Sequence, residues 1–214
     1  MAEVPSSGAA TGGDGVVRCW WAGDDPVYVD YHDDEWGRPI EDDRLLFEKL
    51  CLEGFMSGLS WLTILKKREN FRKAFRSFDI AKVARFNERS VQRLLQDAGI
   101  VRHRGKIEST INNARRCLEL VDEFGSLAAY AWSFEPEPGA RPSKLDRPTL
   151  ESLGPSPEAN AMSKDLKRRG WSYVGPTTVY SFMEAVGIVN DHVSACDYRQ
   201  EVEIKRRGFA RPGT

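Results

Sequence analysis

An all-α fold is the expectation for this chain, and three observations lead to it. Apolar residues recur at three- and four-residue spacing, polar caps and glycine stops bracket those runs, and no run alternates apolar with polar as a half-buried strand would. Asp42 or Asp43 can cap a first helix carrying Leu46, Leu50 and Glu53 on one face. A second helix begins between Ser57 and Ser60 and places Ile64, Phe71, Phe75 and Phe78 at helical spacing. Asn87 caps a helix over 88–97, with Val91, Leu94, Leu95 and Ala98 inward and Gly99 as its stop. Another runs over 104–122. The segment 133–155, rich in proline and charge, reads as a long surface connection. Ser156 and Pro157 supply an N-cap and a first-turn proline for a helix ending at Gly170, and Pro176 opens the next, which stops at Gly187 with Val179, Phe182, Met183 and Val186 on one face.

These elements form one compact domain over 17–200. Residues 1–16, small and Gly-rich, are expected to be a disordered tail, and 201–214 a basic C-terminal tail. A hydrophobic content of 41% suffices for a core in 214 residues. No apolar run is long enough to span a bilayer and no signal peptide is evident, so a cytoplasmic address is expected, with Cys51 and Cys117 as core thiols. A net charge of −1 does not advertise a nucleic-acid binder, but its distribution is uneven. Acidic residues crowd 24–43. Basic runs follow at Lys66-Lys67-Arg68, Arg102 to Lys106, Arg115-Arg116 and Lys167-Arg168-Arg169. Such runs are solvated helix faces unless they converge on one surface as a phosphate-tracking footprint.

Two patterns carry chemistry. Cys19 and His32 are spaced C-x12-H, and His192 and Cys196 H-x3-C, which on a helix puts both on one face. One imidazole and one thiolate from each pair would make a closed tetrahedral zinc site, structural rather than catalytic. Spacing alone is equally compatible with four unrelated buried residues. The second pattern runs from Asp165 to His192. Two helices are joined by a turn bounded by Gly170 and Gly175, where the backbone can approach a ligand closely and free N–H groups can hold a phosphate. Any helical hairpin needs similar punctuation.

Further motifs are Tyr28-x-x-Tyr31-His32-Asp33-x-Glu35-Trp36-Gly37, Cys51-Leu52-Glu53-Gly54, Gly58-Leu59-Ser60-Trp61, Lys66-Lys67-Arg68-Glu69-Asn70, Gln96-Asp97-Ala98-Gly99-Ile100 and Val189-Asn190-Asp191-His192-Val193. Between about Arg18 and Cys196 the chain resembles the helix-hairpin-helix DNA glycosylase superfamily and, within it, the 3-methyladenine DNA glycosylase I family. The resemblance implies one structural zinc held by Cys19, His32, His192 and Cys196. It implies a pocket in which Trp61 and Tyr31 stack on a flipped methylated base, Glu53 and Tyr28 hydrogen-bond its edge as the catalytic pair, and Trp21 and Trp36 form the wall. Contacts to double-stranded DNA are implied at Gly170, Gly175, Thr177, Lys167 and Arg168, with Leu59 beside Gly58 as an apolar wedge. Thr177 stands where lyase members carry a Schiff-base lysine, and Asn190 where many members carry an aspartate. Both point to monofunctional hydrolysis of an unstable, cationic lesion by a monomer. Asp191 is expected to support a zinc-binding histidine. The competing readings are a zinc-stapled DNA-binding or damage-sensing protein without turnover, and a zinc hydrolase, which four protein ligands disfavour.

Overall fold

A computed structural model describes residues 6–213. Eleven α-helices occur among them: α1 (Pro26–Asp34), α2 (Asp43–Met56), α3 (Trp61–Ala74), α4 (Ile80–Ala84), α5 (Glu88–Gln96), α6 (Arg104–Phe124), α7 (Leu127–Trp132), α8 (Arg147–Leu153), α9 (Pro157–Arg168), α10 (Pro176–Ala185) and α11 (Tyr198–Gly208). Local chemistry sets their starts. Asp42, Ser60, Asn87 and Ser156 each accept a backbone N–H of the first turn through the side chain, and Ser90 closes a capping box with Asn87.

The fold departs from a purely helical one at its N-terminal side. Strands β1 (Ala9–Thr11) and β2 (Val17–Cys19) pair antiparallel, with Ala9 opposite Cys19. Three-residue strands are too short to show alternation. What holds them is tertiary: Arg18 is buried and forks onto Asp33 while also reaching Asp14. The tail expected over 1–16 is therefore ordered from the hairpin onward, and its first five residues lie outside the described ones. The C-terminal tail is likewise replaced by α11 over most of its length. Within 133–155, α8 forms behind the Asp146 cap and Leu145 is buried. Phe75 and Phe78 are fully buried but lie past the end of α3, where residues 76–78 turn through left-handed backbone.

Helix α2 is the axis of the molecule, packed against α3, α6, α7 and α10. Every residue from Leu46 to Phe55 is buried, so the helix is covered all round. Three of those residues are charged. Glu48 receives a bidentate fork from Arg72, and Lys49 donates to Glu35 at 3.1 Å. Glu53 receives nothing at Oε2. Burying a carboxyl without a partner costs several kcal/mol if it stays ionised. This is the first sign that Glu53 is kept for something other than folding.

Candidate active site

Glu53 opens onto a cavity of about 310 Å3 lined by Trp20, Trp21, Tyr28, Tyr31, Trp36 and Trp61, with Glu184 and Asp191 also in its lining. Four different parts of the fold meet there. The segment after β2 brings Trp21. Helix α1 brings Tyr28 and Tyr31 on one face, three residues apart, and Trp36 follows its end. Helix α2 brings Glu53, and Trp61 is the first residue of α3, set by the Ser60 cap. The aromatic rings interlock: Tyr31 and Trp61 lie 5.4 Å apart between centroids, Trp21 and Trp36 4.7 Å edge-on, and Trp21 and Tyr28 5.2 Å. The buried Trp61 Nε1 has no protein partner. The cavity thus offers flat apolar faces and two unspent polar atoms.

Burial pushes the Glu53 carboxyl up to about 8, with Lys49 opposing. Lys49 lies one turn before Glu53 on α2, its Nζ 4.5 Å from the Tyr31 ring centroid. Its charge is already spent on Glu35. Burial would raise Glu35 too, but the Arg68 fork, at 2.6 Å to each oxygen, and Lys49 hold it down to about 2. The pocket therefore pairs one committed carboxylate with one uncommitted carboxyl. Burial and the nearby Glu53 raise Tyr28 above its ordinary range, which keeps its phenol a hydrogen-bond donor.

All six aromatic and acidic base-pocket residues expected from the sequence converge here. Trp20, Lys49, Leu150, Glu151 and Glu184 were missed. Lys49 had a signal, its one-turn spacing from Glu53. So had Glu184, the one acidic residue in the apolar run from Val179 to Val189.

Behind the aromatic wall, donor atoms of Cys19, His32 and Cys196 lie within 4.8 Å of one another, all buried. His192 stands beside them, its ring 5.0 Å from that of His32. His32 Nδ1–H donates to Asp33 at 2.8 Å, and His192 Nδ1–H to Asn190 Oδ1 at 2.9 Å. His32 thereby turns Nε2 toward the Cys196 thiol, 3.6 Å away, while the buried His192 Nε2 lies outside that close group and has no protein partner. Donor chemistry and an orphaned nitrogen both suit a soft metal ion at Cys19, His32, His192 and Cys196. Two expectations are corrected. His192 and Cys196 lie in a turn-containing loop before α11, not on a helix. Asp191 is not the histidine's support, since Asn190 takes that role. Asp191 instead accepts from Arg141 and from the Tyr180 hydroxyl. Gly37 makes the packing possible: its φ is +79°, and a Cβ there would sit 3.0 Å from His192 Cε1.

The turn between α9 and α10 is held from below by α6. Asn113 accepts from the Ser172 amide at 3.0 Å and donates to its carbonyl at 2.9 Å, while Asn112 donates to the Gly170 carbonyl at 2.8 Å. Gly175 starts α10 with no side-chain cap, leaving its first amides open near the exposed Thr177. Asn113→Ala is expected to leave the part-buried Ser172 amide unpaired and cost about 1–3 kcal/mol in a urea titration. Leu59 is 44% exposed beside Gly58, and Lys106 donates to the Phe55 and Ser57 carbonyls just before that loop. The basic runs do not form one free patch. Lys66 pairs with Asp25, Arg68 with Glu35, Arg104 with Glu88 and Glu108, and Arg168 with Asp165. Lys167 is exposed and makes no ion pair among the described residues.

Residues 21–200 match the family model described as methyladenine glycosylase. The chain belongs to the methyladenine glycosylase family. The DNA-3-methyladenine glycosylase 1 of Escherichia coli K12 is 49% identical over 182 residues, 85% of this family member and 96% of that protein. A crystal structure of 3-methyladenine DNA glycosylase I superposes with a TM-score of 0.77 at 47% identity, covering 84% of this methyladenine glycosylase and 98% of that chain. A variant of such an enzyme, solved in complex with 3-methyladenine, gives 0.78 at 36% identity, with 85% and 97% covered. The matched span leaves out β1, β2 and most of α11. No helix among the described residues of this methyladenine glycosylase is long and apolar enough to cross a membrane.

Proposed function

We propose that the protein is a monofunctional DNA glycosylase of base-excision repair, which flips 3-methyladenine out of alkylated double-stranded DNA and hydrolyses its N-glycosidic bond. The observation that carries the reading is Glu53: a buried carboxyl with a free oxygen, facing an aromatic cavity. Methylation at N3 makes the base cationic in DNA, which weakens its bond to C1′. A cation is also what an unpartnered carboxyl and stacked aromatic faces prefer over neutral adenine. On entry of the base Glu53 gives up its proton to solvent, pairs with the cation and orients its edge together with the Tyr28 hydroxyl, while Trp61 and Tyr31 stack on it. Water adds at C1′ as the C1′–N9 bond breaks. The bonding pair neutralises the departing base, and the water's proton leaves to solvent, giving free 3-methyladenine and an abasic site. Extrusion costs a few kcal/mol, and stacking returns about 1–3 kcal/mol per ring.

Leu59, on its exposed loop, would fill the gap in the duplex, and the open amides after Gly175, with Gly170, Thr177 and Lys167, would grip phosphates in the manner of a helix-hairpin-helix. Arg168 contributes less, being drawn back to Asp165. A single zinc held by Cys19, His32, His192 and Cys196 would have no open position, so it would supply folding free energy and no reaction chemistry. The protein would act as a cytoplasmic monomer.

Release of base from methylated DNA, identified by chromatography, tests the activity. With threonine at 177 in place of an amine, abasic sites are expected to remain intact and borohydride to trap no protein–DNA adduct. Efficient strand cleavage by pure protein would contradict the hydrolytic reading. A non-catalytic damage sensor would bind methylated DNA and release nothing.

A further inference from the structure

Lys106 is buried in the first turn of α6, and the chemistry proposed above does not use it. Its Nζ donates to the Phe55 carbonyl at 2.9 Å and to the Ser57 carbonyl at 2.6 Å. Phe55 lies in the last turn of α2, whose final carbonyls have no partner within the helix, and an ammonium suits that negative end. Lys106 reaches further than a cap, because Ser57 already belongs to the connection between α2 and α3. Gly58 turns that connection through φ +78°, the Leu59 N–H closes it onto the Met56 carbonyl at 2.6 Å, and Ser60 ends it by capping α3. Residues 57–60 are all exposed, so Lys106 and not core packing of the loop's own side chains anchors it. The turn between α9 and α10 rests on the same junction. Tyr173 takes left-handed backbone there, at φ +56°, which is uncommon for an aromatic residue. Its Cβ packs over Gly54 of α2, where an added Cβ would stand 3.3 Å away, and its hydroxyl lies over Gly105 of α6, where the distance would be 3.1 Å. Gly54 follows Glu53 in the chain, and Gly105 precedes Lys106.

We infer that Lys106 is a positioning residue for base excision: it pins the α2–α3 loop so that Leu59 enters the duplex at a fixed place relative to Glu53 and the α9–α10 turn. A wedge on a free loop would have to be ordered at each encounter with DNA, and that ordering subtracts from what its insertion returns. Held from α6, the loop is ordered beforehand. The gap-filling side chain, the base-reading carboxyl and the phosphate-gripping turn are then mounted on one joint. The inference rests on the base-excision reading, with Leu59 as the wedge, and adds the residue that aims it.

The test is a double-mutant cycle of Lys106→Met and Leu59→Ala. Methionine keeps an unbranched stem and removes the donors. Excision from methylated duplex is measured as kcat/KM, beside affinity for free 3-methyladenine by tryptophan fluorescence, affinity for undamaged duplex, and melting temperature. Lys106→Met is expected to lower kcat/KM about tenfold while both affinities stay within about twofold of wild type. In the Leu59→Ala background the same substitution should cost less than about twofold, since no wedge is left to aim. Additive losses in the double variant would overturn the inference, as would an equal fall in free-base affinity or unchanged excision by Lys106→Met. Should the methionine variant fail to fold, Lys106→Gln, which keeps an amide donor on a shorter stem, goes through the same cycle under the same criteria. Failure of both to fold would make the lysine a purely structural cap and overturn the inference. Leu59→Ala with full duplex excision would remove the wedge, and the inference with it, but leave the glycosylase reading standing. Wild type that releases no 3-methyladenine would sink that reading itself, whatever the variants do.

Discussion

Glu53→Gln is expected to lower 3-methyladenine excision by about ten- to a hundredfold, the loss of one charge-assisted hydrogen bond in a dry pocket. Affinity for undamaged DNA should be unchanged, because the backbone-gripping turn lies elsewhere. The pH profile gives a second readout. Burial pushes Glu53 up to about 8 and Lys49 only partly offsets this, so below that pH the free protein holds a proton that must leave before a cationic base can pair. Wild-type kcat/KM should therefore rise with pH toward about 8 and then level, while the glutamine variant should be flat there. Folding stability moves the other way. An unfolded chain releases the Glu53 proton near the ordinary carboxyl value, whereas the folded chain keeps it until about 8. Between those limits the folded state binds more protons, so stability falls as pH rises through that window. Glu53→Gln should remove that slope. A variant with full excision activity, measured on methylated duplex, would mean that the carboxyl does not read the base.

The second large effect concerns the Cys19–His32–His192–Cys196 cluster. Elemental analysis is expected to find about one zinc per chain. Cys196→Ala should lower the melting temperature by roughly 10 °C or more, since metal-binding free energy adds to folding free energy and about 1 kcal/mol moves a domain of this size by 2–4 °C. Differential scanning calorimetry with and without chelator checks this. A metal-free protein melting where the wild type does would exclude the site. Activity should fall only as structure is lost, because a zinc held by all four residues would leave no open coordination position for the reaction.

How much of this was readable beforehand depends on which force decides each element. Caps are local, and Asp42, Ser60, Asn87 and Ser156 stand at helix starts as their chemistry demands. Helix α1 went unread because it is mostly polar and its apolar content is the pocket itself. The β1–β2 hairpin depends on Arg18 reaching Asp33, a contact no local pattern displays. Spacing suggested a helix for His192 and Cys196. Asn190 instead folds that loop back by accepting from both the backbone and ring N–H groups of His192. In the pocket, Tyr28, Tyr31, Glu53 and Trp61 came through motif resemblance, since an aromatic or an acid on a helix face is by itself ordinary. Glu184 stood out in the sequence only as the one acid in an apolar run, and the fold adds that it lines the pocket.

The cluster leans directly on the pocket. Trp21 meets His32 edge-on at 5.1 Å, and Trp36 packs on His192 at 4.5 Å. Arg199 and Tyr198 at the start of α11 then tie His192 and Asp33 to the last helix. During synthesis the aromatic wall is therefore translated early and completed late. Trp21, Tyr28, Tyr31 and Trp36 leave the ribosome long before residues 192–199 exist to seat them. Because so distant a contact must close last, a nascent chain would hold a folded helical core well before it holds a shaped pocket. Ribosome-bound fragments would thus carry exposed tryptophans until residues 192–199 emerge, and competence to take a base would arrive only with them.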